Sequence, residues 1–586
     1  MAYDILTTSG INSLVNYYIN NETSKRITPL ETRKTKYSKI SGIYSTLLTK
    51  VDSLKSKMYM MKATGSSSAF ATKKATSSNT TAVTVTAGNS AQKGSFSLRV
   101  NQLAKNDLVV SLDKTSTANS AITSPGTYLF KINGGDGEGG QFISNVSLTL
   151  TSSDFTDGHI TFENLSEKIA SAINDDKAEV NSNSVSGSTL SSGSFTLNLN
   201  GTETEINYTA GSYSDVIDSI ITQLEDVSGL SAEKVVNGSN VQLKFKVTDS
   251  SKYISIGEDT GTLLSELGIT VEKEKGASGI VSATSFSPSN GLSQISLTAK
   301  NSGTGYRVEE ISDVSGSVLA EFGLNLGTTR TAFVQNESGA DTAGYVYNTS
   351  VLNAKINFNG LNIERNSNSI SDLVTGVTLN LKSVMSADDN NVTIDIANDV
   401  SSVRSKIEGF IESFNDIYSY LKTNSASNDG VRGVLLGDSS ASSLLSLLSS
   451  TAYSSVSGLG IGTINSLSEI GITFNAGTGL SISDSDQLTD ALEDNADEVE
   501  QMFTSENGIA SSLYNKLLPY TGYSGYLSSR KNSLDDNIES INDSITRIQT
   551  KIDKSSETLR NQYIQLQSQL STLLSSVGNF SSDLLA

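Results

Sequence analysis

Residue types that commonly carry chemistry are scarce in this 586-residue chain. It has one histidine, His159, and no cysteine. A Ser-His-Asp triad or an ordinary zinc site is poorly served by such an inventory, and thiolate sites and disulfides are excluded. Adjacent carboxylates occur at Asp175/Asp176 and Asp535/Asp536. A glycosidase needs two carboxylates facing each other across its substrate, whereas neighbours in sequence read more simply as helix or turn surface. The run NGGDGEGGQF (Asn133–Phe142) resembles one copy of a calcium-binding glycine repeat. Such sites need stacked copies, so a loop tip is the better reading. Asp388, Asp389 and Asp395 lack cation-loop spacing and read as turn residues. We assign no catalytic residue, no metal ligand and no cofactor, and expect a structural protein rather than an enzyme.

The strong signal lies in the apolar spacing at the two ends. Ile40, Tyr44, Leu47, Val51, Leu54, Met58 and Met61 follow one another at alternating intervals of four and three. Near the other end the series is Leu534, Ile538, Ile541, Ile545, Ile548 and Ile552, then Leu559, Tyr563, Leu566, Leu570, Leu573 and Val577. This spacing averages about 3.5 residues, the period that keeps one apolar seam facing a partner helix. Ser555 interrupts the second series, and Ser555–Leu559–Tyr563 is a four-four stutter that locally unwinds a supercoil; a tolerated polar position is the simpler reading, a functional hinge the sharper one. A seam of this kind does not stabilise a helix standing alone, so both ends require partners. The first ~40 and last ~30 residues are expected to be mobile before assembly and to order afterwards.

Charge adds a second pattern. Ten basic residues and two acidic ones lie between Lys25 and Lys62, whereas nine acidic residues and no basic one lie between Asp484 and Glu506. The two stretches suit each other within a bundle or between subunits; the plainer alternative is two solvated faces. The whole chain carries a net charge of −20, which argues against nucleic-acid binding because phosphate neutralisation needs Lys and Arg. No segment approaches the roughly 20 apolar residues of a membrane helix, and the N-terminal residues lack the pattern of a secretory signal. The cysteine-free, hydroxyl- and amide-rich composition points to an exterior protein exported without a cleaved signal.

Between the ends the pattern becomes β-rich. Val83 and Val85, then Phe96, Leu98 and Val100, alternate with polar residues and predict a half-buried hairpin turned near Gly94. Later strands are expected at Ala354–Phe358, Leu361–Glu364, Val377–Leu381 and Val392–Ile396. Helices return after Val400, with Val403, Ile407, Phe410, Ile411 and Phe414 on one face. A small hairpin around Ile470–Ile482 then precedes an acidic helix over Asp486–Phe503. The middle of the chain also repeats itself. DTGTLLSELGI (Asp259–Ile269) echoes VSGSVLAEFGL (Val314–Leu324) at an offset of 55 residues, which predicts duplicated α+β modules.

With these residues in view the chain resembles the bacterial flagellar filament-capping proteins, the hook-associated protein 2 family. SGINSLV (Ser9–Val15) is similar to the family's opening, and Phe70–Lys105, ending in Gln102-Leu103-Ala104, looks like its first hairpin. SDLVTGVTLNLKSV (Ser371–Val384), IEGFIESFNDIYSYL (Ile407–Leu421) with Phe414-Asn415, Gly433–Leu448, Ser466–Leu488 and Ala491–Phe503 follow in the family's order. LSEKIASAIN (Leu165–Asn174) and its second copy near Tyr213 resemble modules shared with flagellins and other hook-associated proteins.

The resemblance implies an α+β multidomain fold, with terminal coiled-coil helices forming a leg bundle and nested β-rich head domains inserted between them. The expected division is 1–42 and 550–586 for the leg helices, 43–69 and 398–549 for a helical bundle, and 70–115 and 345–397 for a β-rich head domain. Residues 116–280 and 281–344 are expected to form further inserted α+β modules. The resemblance further implies export through the flagellar type III channel and an extracellular place at the distal tip of the flagellum. Implied partners are further copies in a ring of about five, flagellin at the filament tip, a cytoplasmic export chaperone on the C-terminal helix, and host glycans or mucin. Neither nucleic acid nor membrane insertion is implied. Other readings are a different axial subunit, such as flagellin or a hook–filament junction protein, and a surface adhesin acting through the head domains.

Overall fold

The computed structural model describes residues 7–583 apart from 188, 270–271, 335–341 and 429–430. The outermost leg residues, 1–6 and 584–586, and 335–341 of the module expected over 281–344 therefore lie outside the described residues. The fold is α+β, with helices from both ends and many β-sheets between them. It divides into two compact units. A helical unit comprises Met1–Lys74, Gly88–Ser90 and Ala397–Ala586, and an inserted unit comprises Ala75–Ala87 and Ala91–Ile396.

The helical unit begins with α1 (Thr8–Arg26) and α2 (Thr28–Met61). The Thr7 hydroxyl accepts from the Gly10 N–H at 3.0 Å and satisfies one of the orphan donors at the start of α1. Pro29 lies in the first turn of α2, where its missing N–H costs nothing. The N-terminal helical region is therefore two helices, with Ile27 buried at their junction.

The inserted unit contains three cores. One buries Leu98, Val100, Ile356, Leu379 and Ile394 between two sheets. Here the structure corrects the expected hairpin. Val83–Ala87 pairs with Val377–Leu381, whereas Gly94–Gln102 pairs with Val392–Asn398 and Ala354–Phe358. Alternation identified both as strands, but their partners are supplied by chain that returns more than 250 residues later.

The other two cores each pack a helix on antiparallel sheet. Helix α3 (Phe162–Asp175) buries Leu165, Ile169 and Ile173 in the first. Helix α4 (Tyr213–Glu225) buries Val216, Ile217, Ile220 and Leu224 in the second. The sequence echo is structural as well. One copy forms the short helix α5 (Leu263–Leu267) and the other a 3-10 turn, Ala320–Phe322. Gly268 (φ 63°) and Gly323 (φ 69°) close them in left-handed geometry, which favours glycine. In each copy a carboxylate holds the turn. Asp259 accepts from the Gly261 and Leu264 N–H groups, and Asp313 from those of Leu319 and Ala320.

The chain returns to the helical unit through α6 (Val400–Ser425), capped by Asp399. Helix α7 (Ser439–Tyr453) follows, then the hairpin of Ile472–Asn475 with Gly479–Ile482. The expected acidic helix is divided into α8 (Ser485–Asp494) and α9 (Ala496–Thr504), with Asn495 non-helical between them. Helix α10 (Ile509–Leu517) leads to α11 (Tyr526–Asp583), a helix of 58 residues.

Candidate assembly interface

The two apolar series meet in one helical unit but end in different environments. In α2, Tyr44, Leu47, Val51, Leu54, Met58 and Met61 are all buried, and Ile40 packs partly covered beside them. They share a core with Ile407, Phe410, Phe414, Ile417 and Leu421 of α6 and with Leu513 and Leu517 of α10. In α11 the covering fades along the helix. Leu534, Ile541 and Ile552 are buried. Ile538, Ile545, Ile548, Leu559, Tyr563 and Leu570 are half-buried. Leu566 is 40% exposed, Leu573 60% and Val577 59%. The 4-3 spacing therefore continues past the point where any described residue of this chain covers it.

Polar contacts fix the register of the covered part. The Ser41 hydroxyl donates to Asp535 at 2.5 Å, and Lys531 reaches the same carboxylate at 2.6 Å. Lys531 and Ser41 together hold the Asp535 carboxyl below the usual carboxylate range. Lys57 donates to the Gly409 carbonyl at 2.8 Å, and Lys50 pairs with Asp416 at 2.9 Å, tying α2 to α6. Among the described residues, the buried Tyr44 hydroxyl has no partner at hydrogen-bond distance. Burial raises its pKa, and the nearby Asp438 charge adds to the shift.

Helix α1 supplies seam residues that were not singled out in the sequence. Ile11 and Val15 are buried, and α1 packs mainly on α11. Their four-residue spacing, continued three residues later by Tyr18, was the available signal. Arg560 also donates to Asn12. Ser555 is exposed, and α11 runs through the stutter without interruption. A shallow cavity of about 300 Å³, lined by Tyr18, Ser555, Leu559 and Gln562, lies at that point.

The residues weighed for chemistry have structural roles or none. Asp136 of the glycine-rich run accepts from the Glu138 and Gly140 N–H groups and pairs with Lys273 at 2.7 Å, so an ammonium fills the place of a cation. Asp389 accepts from the Ser386 N–H in a turn. Among the described residues no group of three or more His, Cys, Asp or Glu could hold a metal ion. Nor is any described helix long and apolar enough to cross a membrane.

Asp176 has a more particular place. It stands where the chain leaves the first α+β core for the second, close to the returning stretch 272–277. Its carboxylate accepts from the Ala277 N–H at 2.6 Å and the Ser144 hydroxyl at 2.9 Å. On the returning stretch, Glu274 exchanges two backbone hydrogen bonds of 2.8 Å with Ile254. A Cβ on Gly276 would lie 2.3 Å from the Lys177 Cα, so only glycine allows the two passages to approach so closely. Both acids line a polar cavity of about 730 Å³, together with Glu179, Glu272, Lys244 and Lys246. Burial pushes Asp176 up to about 6 and Glu274 up to about 8. The pair forms a neck between two cores.

Two family models match segments that include these helices. Residues 9–107 match the family model described as flagellar hook-associated protein 2 N-terminus, and residues 352–575 match the corresponding C-terminus. The A-type flagellar hook-associated protein 2 of Pseudomonas aeruginosa is 26% identical over 357 residues, covering 58% of this chain and 72% of that protein. The flagellar hook-associated protein 2 of Salmonella typhimurium is 26% identical over 232 residues, covering 38% of this chain and 48% of the relative. A solved structure of the flagellar cap protein FliD D1-D2-D3 domains from Escherichia coli aligns with 84% of this chain and 99% of its own at 18% identity, with a TM-score of 0.46. Because the two matched segments together span more than half of its residues, the chain belongs to the flagellar hook-associated protein 2 family.

Proposed function

We infer that this chain is a structural protein that caps the distal end of the bacterial flagellar filament. Family membership supports the capping role. The observation that carries the mechanism is the uneven covering of one helical seam. Its inner part is held in a large core, and its outer part presents Leu566, Leu573 and Val577 to solvent. An exposed apolar stripe on a helix is suited to burial against another helix. The outer seam is therefore the leg that docks on the filament end. The open positions are spaced by polar residues such as Gln562 and Ser568. Contacts of this kind are exchangeable, as a cap that shifts with each added subunit requires.

The finer reading follows from this arrangement. The cap is a homo-oligomeric ring of about five copies, and it retains exported flagellin and promotes its folding and insertion. The chain is secreted through the flagellar export channel, with a chaperone on its C-terminal helix beforehand. The leg segments 1–42 and 550–586 order on docking, and the inserted unit is the surface available to host glycans. Catalysis has no part in this function.

Electron microscopy of a strain lacking the chain tests the function. Bare hooks with monomeric flagellin in the medium are expected, and normal filaments would refute it. Removing Leu559–Ala586 tests the leg. A folded core that no longer stays at the filament tip is expected, and normal capping by the shortened chain would overturn that assignment.

A further inference from the structure

The helical unit carries two exposed features of opposite character. The first is an apolar groove of about 870 Å³ at the end of α2. Tyr59 and Met60, each 60% exposed, form its wall, and Lys57, Lys62 and Lys406 flank it. The second is the loop joining α7 to the hairpin. Ile461 at its tip is fully exposed, between Gly460 and Gly462. The loop is not loose at its feet. The Val456 N–H donates to the Asn465 carbonyl at 2.7 Å, and the Ile464 N–H donates to Glu498 of α9 at 2.9 Å. Glu498 lies on α9, and Asp497 stands exposed beside it.

An apolar knob flanked by carboxylates and an apolar groove flanked by ammonium groups are complementary in shape and charge. Among the described residues, no ion pair joins a basic residue of 25–62 to an acidic residue of 484–506. The basic residues pair instead with Glu22, Asp416 and Asp52. The opposed charge of the two stretches is thus left unused within one copy. A closed ring of more than two subunits needs two different, mutually complementary surfaces on each copy. We propose that the Ile461 loop of one copy seats in the Tyr59–Met60 groove of the next, forming the repeating contact of the cap. This rests on the capping function inferred above, which calls for an oligomer. One loop in one groove is a small contact, so each is weak alone and ring closure makes the set persistent.

The absence of cysteine allows a direct test in the full-length chain. Single and paired Ile461→Cys and Met60→Cys variants are oxidised and resolved on denaturing gels. A ladder of covalent multimers from the pair, absent from either single variant, is the expected result. In parallel, Ile461→Asp is expected to weaken self-association about tenfold in analytical ultracentrifugation, and its exposed position leaves the fold intact. Oligomers that form without the ladder overturn the contact, as does a bridge that closes within one monomer. Unchanged association of Ile461→Asp, or a wild-type chain that stays monomeric at every attainable concentration, also overturns it. In those cases filaments that the wild-type chain still caps leave the capping function standing. Uncapped filaments in its presence would instead remove the function on which the proposal rests.

Discussion

The helical unit and the inserted unit bury different things. The helical core is built from Leu47, Leu54, Phe410, Phe414, Leu513 and similar side chains, and the charges around it lie at its margin. The inserted unit also has apolar cores, yet it encloses charge. Asp107 is fully buried and accepts both terminal guanidinium nitrogens of Arg330 at 2.6 Å, together with the Val308 N–H at 3.0 Å. Asp176 and Glu274 are half-buried at the neck, and burial raises the pKa of both. A helix satisfies its own backbone and needs only an apolar stripe to pack. Strands recruited from distant parts of the chain need their crossings held, and buried carboxylates that accept backbone N–H groups do this. The contrast predicts one unit governed by volume and the other by charge state.

The largest expected effect tests the charged interior. Asp107→Ala leaves the largely covered Arg330 guanidinium without its counter-ion and should cost about 3–5 kcal/mol, read as loss of the inserted unit's transition in denaturant unfolding. A cost below about 1 kcal/mol would break the contrast. In the apolar interior, Leu54→Ala should cost about 3 kcal/mol through lost burial and a residual cavity. That loss should be nearly the same at pH 5 and pH 9, as measured by chemical denaturation.

The neck supplies the matching pH experiment. Asp176 and Glu274 titrate higher in the folded protein than in the unfolded chain, so the folded state binds the additional protons. Their contribution is fully present below the ordinary carboxylate range. It is lost as pH climbs through about 6 for Asp176 and about 8 for Glu274. The inserted unit should therefore be less stable at pH 9 than at pH 5, and Glu274→Gln should flatten most of that slope in thermal melts. A pH-indifferent inserted unit would remove the distinction.

The smallest effect on stability is expected on the open seam. Leu573→Ser should change unfolding free energy by less than about 0.5 kcal/mol, yet reduce retention at filament tips. A large loss of stability would mean that the outer leg is already packed in the free chain.

Much of this was legible in the sequence. The 4-3 spacing predicted helices over the two apolar series, and α2 and α11 form there, because helical periodicity is a local property. Alternation likewise identified Val83–Val85 and Phe96–Val100 as strands. Alternation does not say which strand lies alongside, so the expected hairpin dissolved into two sheets whose other members come from residues 354–398. Ile11 and Val15 escaped notice because Leu14, Tyr17, Tyr18 and Ile19 lie among them, so no single face stands out until α11 covers one. The single acidic helix became two because a stretch of favourable residues does not reveal the break at Asn495.

The sequence by itself determined where helices and strands form, that chemistry-bearing residues are few, and that both ends carry apolar seams. Those properties follow from backbone geometry and from side chains within a few residues of one another. Only the tertiary structure decided how far along α11 the seam is covered, which carboxylates lose their water, and that Ile461 stands free while Ile464 beside it is anchored. Each of those depends on solvent exclusion by groups distant in sequence, a quantity that no local pattern contains.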